Sequence, residues 1–288
     1  MKVCIACNHR FDRPDWQCTK CDYYPPKIAG HLAFAPDLAH ASEGFEAHFF
    51  ERLAELEAGN FWFRSRNRLI IWALQHYFPH TKSCLEIGCG TGFVLSDIEQ
   101  NFPELQLSAS EVFTQGLAFA AQRVSTAQLF QMDARKIPFE DEFGLIGAFD
   151  VLEHIQADTE VLAQMYQAIH SEGGIVLTVP QHPWLWSQAD DYAHHVRRYR
   201  AIELKQKVIA AGFRVVRTTS FVSLLLPLLL ASRLSQKRHK SNYDPTSELK
   251  IQGWLNDMLE NILSWERRLI QSGVSFAAGG SLLLIAKK

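Results

Sequence analysis

Three glycines at alternate positions, Gly88, Gly90 and Gly92, close the segment L-E-I-G-C-G-T-G that begins at Leu85. A short β-like run ending this way makes a strand-to-helix turn whose backbone can lie against a ligand that a Cβ would push away. The helix that follows offers free N–H groups to the same ligand. Acids surround the pattern. Glu86 precedes the first glycine by two residues, and Glu111, then Asp133 beside Ala134, then Phe149-Asp150-Val151-Leu152-Glu153-His154 follow it. Glycines that cradle a nucleoside, with carboxylates to accept from its hydroxyl and amino groups, are the chemistry this spacing serves. A dinucleotide-dependent dehydrogenase uses a related loop, but spaced G-x-G-x-x-G rather than G-x-G-x-G.

A second constellation lies at the start of the chain, where Cys4-x-x-Cys7 and Cys18-x-x-Cys21 form two knuckles. Each turn presents two thiolates on one side of the backbone, and together they make a closed tetrahedral set with no open position for catalysis. The metal expected is structural zinc; a redox dithiol pair is the alternative. Between the knuckles Phe11 and Trp16 supply little apolar surface, so the metal is expected to contribute much of the module's folding energy. Arg10, Arg13 and Lys20 are balanced by Asp12, Asp15 and Asp22, which leaves no basic face.

These residues need a scaffold, and the periodicities supply one. Strand-like runs over 105–110, 127–131, 145–149 and 174–179 alternate with apolar helical patterns such as 161–169, which predicts parallel strands with helices on both faces. Right-handed crossovers then bring every strand's C-terminal end, and all the acids named above, to one edge. The fold class expected is α/β, with a Rossmann-like, mostly parallel sheet of seven strands. Residues 1–30 read as a zinc-ribbon module, 31–80 as a linker and N-terminal helices, and 81–288 as the catalytic domain. The Pro-, Ala- and Gly-rich stretch 25–37 reads as linker rather than helix or strand. A helical pattern begins near Phe45 and continues through Phe49, Leu53 and Leu56. A helical insertion is expected at about 221–275, before a last strand at 281–286.

From Phe61 onward the chain resembles the class I S-adenosylmethionine (SAM) dependent methyltransferases, with the glycine loop and D-V-L-E-H-I as the most specific pieces. The ribbon, F-W-F-R-x-R-N, D-V-L-E-H, H-x-R-R-Y and the terminal G-G-S-L-L-L-I-A-K-K together resemble bacterial methyltransferases related to the ubiquinone and menaquinone branch. The resemblance implies SAM as cofactor. By their chemistry, Glu111 can accept from both ribose hydroxyls, Asp133 from the adenine amino group, and Glu86 and Asp150 can face the cationic methionine end; Ala134 and Val151 are further candidate cofactor contacts. The resemblance also implies that Trp62 and Arg66 fold over the cofactor from the helix before the first strand. The stretch Asp150, Glu153 and His154 resembles one associated with a divalent cation in ubiquinone-pathway O-methyltransferases.

The acceptor is less constrained. Trp184, Trp186, Asp191 and His195 follow the fourth core strand, where an acceptor would meet the cofactor. His154 and His195 are the candidate bases, with Asp191 the expected partner of His195. A small-molecule or lipid-like acceptor is expected, methylated on oxygen or nitrogen. The apolar run from Phe221 and the basic residues through Lys240 predict peripheral membrane contact or a homodimer contact. A zinc-bearing ribosomal RNA guanine methyltransferase and a non-catalytic SAM-binding adaptor are the other readings. With net charge −2 no global field draws the chain to nucleic acid. The N-terminus has no apolar h-region, which predicts a cytoplasmic protein, and the apolar run from Phe221 adds contact with the inner membrane face.

Overall fold

The computed structural model describes residues 1–40, 48–238 and 251–288. Of the expectations above, Phe45 and Lys240 lie outside these residues, as does the side chain of Phe49.

The chain opens with β1 (Lys2–Val3) and β2 (Arg10–Phe11), then β3 (Lys27–Ile28) and β4 (His31–Ala33), followed by α1 (His48–Leu56) and α2 (Phe61–Tyr77). The alternating part runs through β5 (Ser83–Ile87), α3 (Phe93–Asn101), β6 (Gln106–Glu111), α4 (Thr114–Arg123), β7 (Gln128–Gln131), β8 (Phe143–Phe149), α5 (Asp158–Ala168) and β9 (Ile169–Pro180). It closes with α6 (Gln188–Tyr192), α7 (Ala201–Ala210), β10 (Arg214–Phe221), α8 (Leu226–Arg238), α9 (Gly253–Gln271) and β11 (Ser281–Lys287).

The main sheet has the order β10-β11-β9-β8-β5-β6-β7-β4-β3. From β9 to β7 the strands are parallel, and β11 runs antiparallel to both β9 and β10. All seven residues of β8 are buried, as a parallel strand covered on both faces requires. Strand β5 lies between β6 and β8, so the chain leaves it towards one side and later returns on the other. That reversal opens a crevice beyond the C-terminal end of β5, where the glycine loop begins.

Seven of these strands are those the periodicities predict; two more come from the stretch read as linker. Ile28 and His31 pair across a two-residue turn, with Ala29 at φ +49° and Gly30 at φ +87°. Both central residues in the left-handed region make a type I′ turn, whose twist suits a hairpin. Strand β4 then adds in parallel to β7.

The ribbon is not an isolated unit. Trp16 is buried, with its ring centroid 4.5 Å from Phe34, 5.3 Å from Phe139 and 6.1 Å from Phe130. Lys136 Nζ donates to the Ile5 carbonyl at 2.7 Å, and Arg10 pairs with Glu140. The apolar surface that the ribbon lacks is therefore supplied by the side of the catalytic domain.

Candidate cofactor and acceptor site

The bend after β5 is built around two glycines with different reasons to be glycine. At Gly88, φ +66°, a Cβ would lie 2.6 Å from Val151 Cγ2, so the loop is pressed against the D-V-L-E-H stretch. At Gly90, φ +53°, a Cβ would meet nothing nearer than Phe50 Cε1 at 3.9 Å. The space beside Gly90 is open. Gly92 forms the N-cap of α3, whose first N–H groups are available there.

Glu111, at the end of β6, spans this bend. Its Oε2 accepts from Gly90 N at 3.1 Å, and its Oε1 accepts from Val112 N at 2.7 Å and from Phe113 N at 3.2 Å. Oε1 is filled by its two N–H donors, whereas Oε2, with one, retains a further lone-pair direction for a ligand hydroxyl. Glu86 is 2% exposed and its Oε2 has no partner. Burial raises its pKa to about 8, with Glu111 adding to the shift and Arg66 opposing it.

Arg66 closes the other side. Asn60 caps α2 by accepting from Trp62 N at 2.9 Å, which fixes the helix carrying both predicted contacts. The Arg66 guanidinium lies 4.8 Å from the Trp62 ring and donates to Asp150 Oδ2 at 2.6 Å. Asp133 and Ala134 follow β7; Ala134 is buried, and Asp133 accepts from Arg135 Nε at 2.9 Å.

Two groups that no motif singled out belong to this region. Phe50, 3% exposed on α1, lies over Gly90 and Gly116. Glu57, also 3% exposed, accepts from Thr91 Oγ1 at 2.6 Å and pairs with Arg123, tying the segment before α2 to the glycine loop. An acid buried at a helix end has no sequence signature without its distant partners.

Among the residues expected to meet an acceptor, the pairing of His195 with Asp191 is corrected. His195 Nδ1 bonds to Asp190 Oδ1 at 2.9 Å, whereas Asp191 accepts from Trp186 Nε1 at 2.8 Å. Asp190 occupies the third position of α6 and forms a capping box with Ser187, which turns its carboxylate inward. Ser187-x-x-Asp190 was the available signal. Arg198 Nε also donates to Asp190, at 2.7 Å, and Asp190 is held low, at about 2: burial opposes this, and the His195 and Arg198 contacts outweigh it.

His195 Nε2 lies 4.0 Å from Glu153 Oε1, and the His154 and His195 rings meet edge-on at 4.7 Å. Glu153 is fully buried with neither carboxylate oxygen hydrogen-bonded, and burial raises its pKa well above the usual range. Burial lowers His154 to about 3, and the charge of His195 adds to this. The ligating atoms of Glu153, His154 and His195 fall within 4.8 Å of one another.

The four N-terminal cysteines form a compact cluster, with Sγ atoms 3.7 Å apart for Cys4 and Cys21, 3.6 Å for Cys7 and Cys18, and all within 4.8 Å. These separations are too long for disulfides.

Residues 50–218, more than half of the chain, match the methyltransferase domain family, and the chain belongs to that family. Its fold, with this crevice, bend and acids, is that of the class I SAM-dependent methyltransferases. Solved structures share the fold at low identity. Phosphoethanolamine N-methyltransferase 2 of Haemonchus contortus, in complex with SAM, is 19% identical with TM-score 0.51, over 76% of this chain and 52% of that one. This chain thus spans about half the length of that enzyme. A SAM-dependent methyltransferase from Archaeoglobus fulgidus is 16% identical with TM-score 0.50, over 77% and 94%. The [4+2]-cyclase SpnF is 15% identical with TM-score 0.53, over 79% and 83%. No curated protein matches the sequence significantly.

Proposed function

We propose that this enzyme carries a methyl group from SAM to a small-molecule or lipid-like acceptor, in the ubiquinone and menaquinone branch its motifs resemble. The observation that carries the reading is the open bend at Gly90, with Glu111 fastened across it and a partnerless oxygen on Glu86 nearby. Bound there, SAM supplies an electrophilic methyl group on a sulfonium. Glu86 and Asp150 provide negative charge for that end, Glu111 accepts from the ribose hydroxyls, and Asp133 and Ala134 border the adenine. Val151 shapes the floor below Gly88, and Trp62 and Arg66 cover the ligand from α2.

Asp190 holds Nδ1 of His195 and leaves Nε2 for the proton that departs an acceptor hydroxyl or amine. His154 stays neutral beside it and fixes the ring's position. Most of the acceleration then comes from alignment of the acceptor atom with the methyl group.

Zinc fits the cysteine cluster. Four thiolates at about 2.3 Å from a tetrahedral centre lie about 3.8 Å apart, close to the Sγ separations of 3.6 and 3.7 Å. Cys4, Cys7, Cys18 and Cys21 would hold it as a brace. An RNA acceptor is disfavoured by the ribbon's own contacts: Arg10 is spent on Glu140 and Lys136 on the Ile5 carbonyl.

Isotope-labelled SAM, incubated with the protein and separate lipid, small-molecule and RNA extracts, tests the reading by mass spectrometry. Label is expected in a lipid or small-molecule fraction and lost with Glu111→Ala. Label in RNA alone overturns the acceptor class.

A further inference from the structure

We infer that the outward face of α9 is a seat for an anionic phospholipid surface. A helix that packs only against its own domain needs one apolar stripe, and α9 has it in Leu259, Leu263 and Ile270, all buried. At about 100° per residue, Trp254, Met258, Trp265 and Leu269 form a second row, turned roughly 100–160° from the buried one. They are 67%, 45%, 63% and 40% exposed. This second stripe runs about 22 Å along the helix. A soluble surface seldom carries two open indoles in one apolar row.

The neighbouring turn extends it. Glu266 Oε2 accepts from the backbone N–H groups of Ser223 and Leu224, each at 2.7 Å, and so fastens the approach to α8 onto α9. Leu224 and Leu228 in that stretch are 43% and 54% exposed. The expected contact at Phe221–Lys240 is thereby widened to α9.

Charge selects the occupant. Arg268 lies 5.1 Å over the Trp265 ring, at the edge of this row. Glu260 is already taken by Arg64 and Arg68. A guanidinium at this edge can pair with lipid phosphate, while tryptophan rings settle at head-group depth. No helix among the described residues is long and apolar enough to cross a membrane; the two-sided pattern of α9 suits a helix lying along one. Docking there sets α2, and with it Arg66, one helix away from the bilayer, because Phe61 N donates to Asn256 Oδ1 of α9 at 2.8 Å. The docking surface stands independently of the acceptor's identity.

Flotation of the full chain with vesicles of phosphatidylcholine, with and without phosphatidylglycerol, tests this. Co-flotation is expected with the anionic vesicles and weakens with salt. The Trp254→Ser, Trp265→Ser double variant is expected to lose about tenfold or more in partitioning. Arg268→Gln is expected to lose the preference for phosphatidylglycerol. SAM binding and melting temperature, unchanged in each variant, establish that the fold is intact. Absence of flotation with either vesicle overturns the inference. So does a dimer in sedimentation velocity that Trp265→Ser dissociates, since the face would then belong to a second copy.

Discussion

Asp150 receives the Arg66 guanidinium at 2.6 Å while its own backbone sits at φ +58°. That conformation costs a non-glycine residue about 1–3 kcal/mol, so the surrounding contacts must hold it. One is the hydrogen bond from Asp150 N to the Thr178 carbonyl at 2.9 Å; the other is the ion pair itself.

Replacing Arg66 separates these roles. Arg66→Met leaves a largely buried carboxylate without its partner, at a cost of about 3 kcal/mol in denaturant unfolding. SAM affinity, measured by calorimetry, is expected to fall about tenfold or more. Arg66→Lys should recover part of both. Undiminished SAM binding in Arg66→Met would remove this side chain from the cofactor contacts.

Glu86 makes cofactor binding a protonic event. With its pKa raised to about 8 by burial, the ligand-free protein keeps this acid protonated at neutral pH. A cationic ligand favours the carboxylate, so binding must release a proton, and affinity must rise from about pH 6 to about pH 8. The raised pKa gives a stability term that is complete below the ordinary carboxyl value of 4.5 and is lost as pH climbs through about 8. Calorimetry in buffers of different ionisation enthalpy reads the proton directly. Proton uptake would reverse the assignment, and Glu86→Gln should flatten the pH dependence.

The two glycines should respond differently to one chemical change. Gly88→Ala drives a methyl group into Val151 and should destabilise the fold by about 1–3 kcal/mol, with partial rescue by Val151→Ala. Gly90→Ala meets open space, so its cost is the backbone conformation, about 1–2 kcal/mol, together with a loss of SAM affinity. Melting curves with and without SAM distinguish the two. Equal behaviour would mean that the space beside Gly90 is not where the ligand lies.

Metal removal should be felt beyond the ribbon. Elemental analysis is expected to find one zinc per chain, abolished by Cys4→Ser with Cys7→Ser. Because Trp16 packs on Phe34, Phe130 and Phe139, the same variant should alter near-ultraviolet circular dichroism and lower the melting temperature of the catalytic domain. A metal-free protein with an unchanged melting temperature would contradict the bracing role.

What the sequence made legible depended on local spacing. The glycine loop, the acids at strand ends and the alternation of β5 to β9 are all set within a few residues of one another, and the sheet and its reactive edge followed. Asp190 was obscured by Asp191 because one residue on α6 is about a 100° rotation, and only the capping box tells which carboxylate turns inward. The β3–β4 hairpin was hidden by Ala29, a residue rarely found at positive φ. The burial of Trp16 and the cover that Phe50 gives Gly90 depend on partners far away in the chain, which no periodicity records.

The hairpin has one more effect. It follows Cys21 within a few residues and occupies the flank of β7, with Ala35 N and the Ala35 carbonyl bonded to the Gln131 side chain at 3.0 and 2.8 Å. Were the thiolates to lose their ion, slack would travel down this short tether and uncover a row of bare amides. Starvation for zinc would then show itself first as clumping of neighbouring molecules, strand against strand, before any fall in turnover.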